Sequence, residues 1–161
     1  MDLGTAKRLF CESPSWSDVV ENTVADFVNG LENRDEDLLA ILRIGHDTTI
    51  RGAGLPVRDA LARTRYRELR TSFQESDLLP HIEAHPAFVE EWLGYSEDKR
   101  SEGGWYILRN GTVGQVHPPA TSVTFGSLQQ AVAAYVVREL DFWANVAPAN
   151  TRLHPTAADE C

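Results

Sequence analysis

Residues 103–143 read GGWYILRNGTVGQVHPPATSVTFGSLQQAVAAYVVRELDFW, and this stretch decides the fold. Trp105-Tyr106-Ile107-Leu108 is rich in β-forming side chains. Asn110-Gly111 is a hairpin signal, because both residues tolerate positive φ. Val113, Gln115 and Val116 make the returning strand, Pro118-Pro119 stops it, and Ser122 to Phe125 make a third. Ser127 then opens a helix, with Gln130 three residues on as in a capping box. Leu128, Val132, Tyr135, Val136, Leu140 and Trp143 recur at helical spacing down it. An antiparallel meander closed by a helix is predicted from Trp105 to about Trp143.

Upstream the pattern is helical. Ser15 or Ser17 can cap a first helix, whose Val20, Val24, Phe27, Val28 and Leu31 form a stripe expected to be buried and which is expected to end near Asn29-Gly30. A shorter helix is expected after Asp35-Glu36-Asp37, then a loop over Gly45 to Pro56. A further helix is predicted through Val57, Leu61, Tyr66 and Phe73, with its arginines outward. Pro80 and Pro86 each suit a first helical turn, giving helices over 77–84 and 87–96. The fold class is therefore α+β: a helical N-terminal part, a short antiparallel meander and a closing helix. A single domain is expected over 1–147, with a loose arm at 1–14 and a mobile tail at 148–161.

The charge is −9 in 161 residues. That opposes free-standing nucleic-acid binding, which depends on cations meeting phosphates. The charge is also blocked along the chain. Glu12 to Asp47 holds nine acids and two bases, Arg51 to Arg70 six arginines and two acids, and Glu75 to Asp98 seven acids and no Lys or Arg. No apolar run approaches the roughly 18–20 residues that span a bilayer, and the N-terminus lacks the features of a secretory signal. A cytoplasmic location is the expectation. Cys11 and Cys161 are too far apart in sequence to read as a disulfide framework or a zinc motif.

Chemistry-bearing patterns are sparse. His81 and His85 share a helical face at a spacing that can hold zinc, but Ile82 stands where a metalloprotease has its glutamate, and Pro86 follows at once. His46-Asp47 could act as a base with its orienting carboxylate. Gly52-Ala53-Gly54 is only a fragment of a phosphate-binding turn. No cofactor, no metal and no catalytic residue is assigned on these grounds. A small hydrolytic or metal-dependent enzyme built from His46, Asp47, His81 and His85 is the alternative. A second alternative is a regulatory module using Arg58, Arg63, Arg65 and Arg70 as an exposed stripe.

The densest unusual segment runs from Trp92 to Tyr106. Its Trp92, Tyr95, Glu97, Asp98, Lys99, Arg100, Trp105 and Tyr106 combine aromatics with both signs of charge. Trp, Tyr and Arg dominate binding energy at interfaces, so these eight are the candidate partner-binding residues. The competing reading is a helix end, a turn and a strand start with both tryptophans in the core.

The Ser-Glu-Asp-Lys-Arg run at 96–100, the Gly-Gly-Trp-Tyr at 103–106, the Asn110-Gly111 hairpin and the Phe-Gly-Ser at 125–127 resemble those of small bacterial immunity proteins from toxin–immunity loci. The resemblance covers roughly Pro86 to Trp143. It implies a non-enzymatic cytoplasmic protein that binds and blocks a cognate toxin, a basic toxin domain given the charge. Such families vary in their binding residues, so no position is carried over.

Overall fold

The computed structural model describes residues 16–49, 52–99, 103–118 and 121–146. The arm at 1–14 and the tail at 148–161 lie outside these residues. The elements run α1 (Trp16–Thr48), α2 (Val57–Ala62), α3 (Tyr66–Leu69), α4 (Glu75–Ala84), α5 (Ala87–Asp98), β1 (Trp105–Ile107), β2 (Thr112–Gln115), β3 (Ser122–Thr124) and α6 (Leu128–Asn145). This is the expected α+β order. The chain divides into two compact units, with the boundary between Asp37 and Leu38.

In the second unit α6 is the central element. It packs against α2, α4, α5, β1 and β2. Ala131, Val132, Ala133, Ala134, Tyr135, Val136 and Val137 are all buried along it. Alanines are interspersed with larger side chains there, so neighbours can reach the helix from several sides. Ser127 caps it, its hydroxyl accepting from the Gln130 amide at 3.2 Å.

The meander has strand order β1-β2-β3, antiparallel throughout. The hairpin forms where expected, with positive φ at Gly111 and not at Asn110. No residue other than glycine has positive φ among the described residues, while Gly111 has φ +84°. The Gly111 amide donates to the Leu108 carbonyl at 2.9 Å, and the Leu108 amide donates to the Thr112 carbonyl at 2.9 Å. That is a three-residue loop with a left-handed glycine at its end. On one sheet face the Tyr106 ring lies across Gly114, where a Cβ would collide with it. The glycine gives the ring its seat.

Several helical expectations change. Asn29-Gly30 does not end a helix, because α1 is continuous through it. A C-cap glycine must turn left-handed, and Gly30 is not among the glycines with positive φ. The stripe Val20, Val24, Phe27, Val28 and Leu31, expected to be buried, is exposed. Gly45 is helical rather than in a loop, and it is a packing glycine: a Cβ there would meet the Trp92 indole at 2.8 Å. The absent side chain lets Trp92 lie flat on α1 and donate from Nε1 to the Leu42 carbonyl at 2.9 Å.

The arginine-bearing helix is two short pieces. Thr64 interrupts it, its hydroxyl donating back to the Leu61 carbonyl at 2.8 Å and accepting from the Tyr66 amide at 3.3 Å. α4 begins at Glu75 under a Gln74–Asp77 capping box, which places Pro80 inside the helix instead of in its first turn. The proline removes a hydrogen bond to the Ser76 carbonyl. Pro80 and Ser76 are both exposed, so water can satisfy that carbonyl.

Candidate functional site

Two places gather polar chemistry in the second unit. The first is the interior carboxylate of Glu139, on α6, which is 0% exposed. Its Oε1 accepts from the Lys99 ammonium at 2.6 Å, the Trp143 indole at 2.8 Å and the Tyr95 hydroxyl at 2.9 Å. Its Oε2 accepts from the Trp105 amide at 2.6 Å. Gly104 sits against the same carboxylate with φ +86°, and a Cβ there would strike Oε2. A buried carboxylate is tolerated when donors satisfy both oxygens, and here they come from α5, from Lys99 just after it, from the start of β1 and from α6 itself.

Burial pulls the Lys99 ammonium below its ordinary value, against the opposing attraction of Glu139. The Tyr95 phenol is pushed far up, first by burial and then by the charge of Glu139. The cluster therefore holds no phenol poised to ionise near neutrality. Every donor around Glu139 serves to hold the carboxylate, which makes this a structural clamp.

This changes the reading of the candidate partner-binding segment. Trp92 and Tyr95 are buried, and the Lys99 side chain is 7% exposed. These three belong to the core and the clamp rather than to an exposed anchor. Trp105 and Tyr106 are half-buried. The Arg138 guanidinium lies 5.2 Å from the Trp105 ring centre and 5.6 Å from that of Phe125. Arg100 lies outside the described residues. Glu97 and Asp98 remain exposed.

Those two open onto the second place, a cleft of about 340 Å³ between the C-terminal end of α1 and the outer face of α5. Glu90, Glu91, Glu97 and Asp98 line it opposite His46, and Gly94 lies between them. On α5 the positions 90, 94 and 97, and 91, 94 and 98, are three and four apart, so one helical face carries all four carboxylates. Arg109 grips Glu90 with two hydrogen bonds of 3.0 and 2.8 Å, which holds that carboxyl below its usual range. Burial raises the Glu91 carboxyl, with His46 opposing and Asp47 adding to the rise. Its Oε2 is buried and has no hydrogen-bond partner among the described residues.

The other candidates stay apart. His46 Nδ1 lies 3.4 Å from Asp47 Oδ1, an exposed contact between sequence neighbours. His85 caps the end of α4 and sets its ring edge-on to Phe88 at 5.7 Å. No three His, Cys, Asp or Glu side chains among the described residues are grouped to hold a metal, so His46, Asp47, His81 and His85 do not form such a centre.

The arginines do not form one free stripe either. Arg70 makes a two-pronged pair with Asp141, Nε to Oδ1 at 2.7 Å and Nη2 to Oδ2 at 2.9 Å. Arg65 pairs with Glu68 at 3.0 Å. Arg58 lies over the Trp143 ring at 5.5 Å. Arg63 and Arg67 are exposed. Among the described residues no helix is long and apolar enough to cross a membrane.

Glu139 escaped the reading of residue patterns, although a signal was present: it stands four residues after Tyr135 and four before Trp143, inside the apolar stripe. A carboxylate in such a stripe implies buried donors. None of the known protein-family models, curated proteins or solved structures compared with the chain matches it.

Proposed function

We propose that this protein works by stoichiometric binding to a basic protein partner, and that the partner is a toxin domain which it neutralises. The observation that carries the reading is the acidic cleft, with Glu90, Glu91, Glu97 and Asp98 converging from one face of α5 on a concave surface. Opposite charge steers encounter and sets the association rate, while desolvated contacts set the lifetime. The net charge of −9 adds a long-range field of the same sign. The resemblance of the 86–143 segment to immunity proteins supports the toxin as partner, and a non-enzymatic, cytoplasmic protein is part of the same proposal.

The test is affinity capture with the tagged full chain from its source cell, followed by mass spectrometry and sizing of what is retained. The expected result is a one-to-one complex with a basic domain, whose association slows as salt is raised. The double variant Glu97→Lys/Asp98→Lys should slow association further without altering the fold, since both side chains are exposed. Turnover of a small molecule by the protein alone, with no retained partner, would refute the proposal.

A further inference from the structure

The α1 segment of the first unit carries the largest set of exposed apolar side chains among the described residues. Val20, Val24, Phe27 and Leu31 are exposed, Phe27 by 67%. Their spacing of four, three and four is that of the a and d positions of a heptad repeat. Val28 widens the stripe on one side, while Thr23 and Gly30 flank it on the other with little bulk. Nothing stands within 4 Å of where a Gly30 Cβ would be, so another backbone can approach closely there.

We propose that this face is a docking seam for a basic amphipathic helix of the partner. The proposal deepens the binding function above and rests on it. Charge selects the occupant. From Val19 to Asp37 the helix bears Glu21, Asp26, Glu32, Asp35, Glu36 and Asp37 against Arg34 alone. A second copy would bring a helix with the same excess of acid against it. The seam is also only two heptads long, short of the three to four that sustain a coiled coil on apolar contact alone. An anionic membrane surface is disfavoured by the same charge. A helix with apolar a and d positions flanked by Lys or Arg satisfies both the stripe and the acid excess of the helix that bears it.

The probe is a synthetic helix of about three heptads with Leu at a and d and Lys at e and g, titrated against the full chain. Binding should weaken with salt and fall at least tenfold in Phe27→Ser and in Val24→Ser. Both variants keep the charge, so purely electrostatic adhesion would survive them. Circular dichroism confirms that each variant keeps its helix. A matching peptide with Glu at e and g should not bind. Equal affinity for wild type and both variants overturns the seam.

So does a wild-type dimer that Phe27→Ser converts to monomer, because a second copy is then the occupant. So does peptide binding that appears only after residues 1–14 are removed, because the chain's own arm is then the occupant. The two readings fail separately. A captured basic partner that binds Phe27→Ser as tightly as wild type overturns the seam and leaves the binding function standing.

Discussion

Lys99 Nζ lies 2.6 Å from Glu139 Oε1, with the two side chains 7% and 0% exposed. The pair joins the end of α5 to the middle of α6, and the Trp105 amide on Oε2 ties the start of β1 to the same carboxylate. One side chain thus fastens sheet, connection and two helices.

The carboxylate, not the ammonium, organises this cluster. Glu139→Leu strands the Lys99 charge and orphans the Tyr95, Trp105 and Trp143 donors, and should cost at least about 3–5 kcal/mol. Lys99→Met leaves three donors on the carboxylate and should cost less, about 1–3 kcal/mol. The double variant should be more stable than Glu139→Leu alone, since no stranded charge remains. Urea unfolding of the four proteins checks the order. A larger loss for Lys99→Met would reverse the assignment.

Gly104 and Gly54 both have positive φ, at +86° and +63°, but only Gly104 has a neighbour where its Cβ would be. Alanine at Gly54 should cost only the left-handed conformation, about 1 kcal/mol. At Gly104 the methyl must also displace Glu139, and the loss should exceed that of Gly54→Ala by about 2 kcal/mol. Thermal unfolding of the two variants side by side measures the difference.

What was legible in the sequence was local. Ser127 as a cap and the Asn110-Gly111 hairpin depend on neighbours within a few residues, and both were placed. The turn type was not, because Asn110 can serve as the second position of an ordinary turn as readily as in a mirror-image one. Gly30 does not end its helix, because a glycine after an asparagine is competent to end one without being obliged to. The 20–31 stripe identified an apolar face, but periodicity does not say what covers such a face. Trp92, Tyr95 and Lys99 are candidates for partner binding on sequence because aromatic and charged residues dense in sequence fit either a surface or a buried clamp. Glu139, some 34 to 44 residues from three of its donors, decides between them. Glu97 and Asp98 remain at the candidate site, where Glu90 and Glu91 join them from two turns of helix earlier.

The arginines divide into structural and free ones, and substitution should separate them. Arg70→Lys loses the two-pronged grip on Asp141, which also accepts from the Tyr66 hydroxyl at 2.8 Å. The expected cost is about 1 kcal/mol, because the pair is only two-thirds buried. Arg63→Ala and Arg67→Ala, both exposed, should stay within about 0.5 kcal/mol of wild type. If all three proved neutral, the row would be a solvated face.

Glu91 predicts a pH signature. Burial raises its carboxyl above the unfolded value, so the folded state holds the proton more tightly than the unfolded chain. The stabilisation from that proton is complete below the ordinary carboxylate range and is lost as pH rises through the raised folded value. At neutral pH the ionised side chain is a net cost, made worse by the unsatisfied Oε2. Glu91→Gln removes the charge and keeps the shape. It should stabilise the protein at neutral pH, where wild-type Glu91 carries the charge that burial disfavours. The gain should vanish at acid pH, where wild-type Glu91 is protonated in both states. Urea midpoints of the two proteins across the acid-to-neutral range test this. A Gln variant no more stable than wild type at neutral pH would mean that the ionised Glu91 is not disfavoured in the folded state. If the gain is seen, the same ionised group is available to be neutralised by a partner's cation, and partner affinity should fall in Glu91→Gln while stability rises.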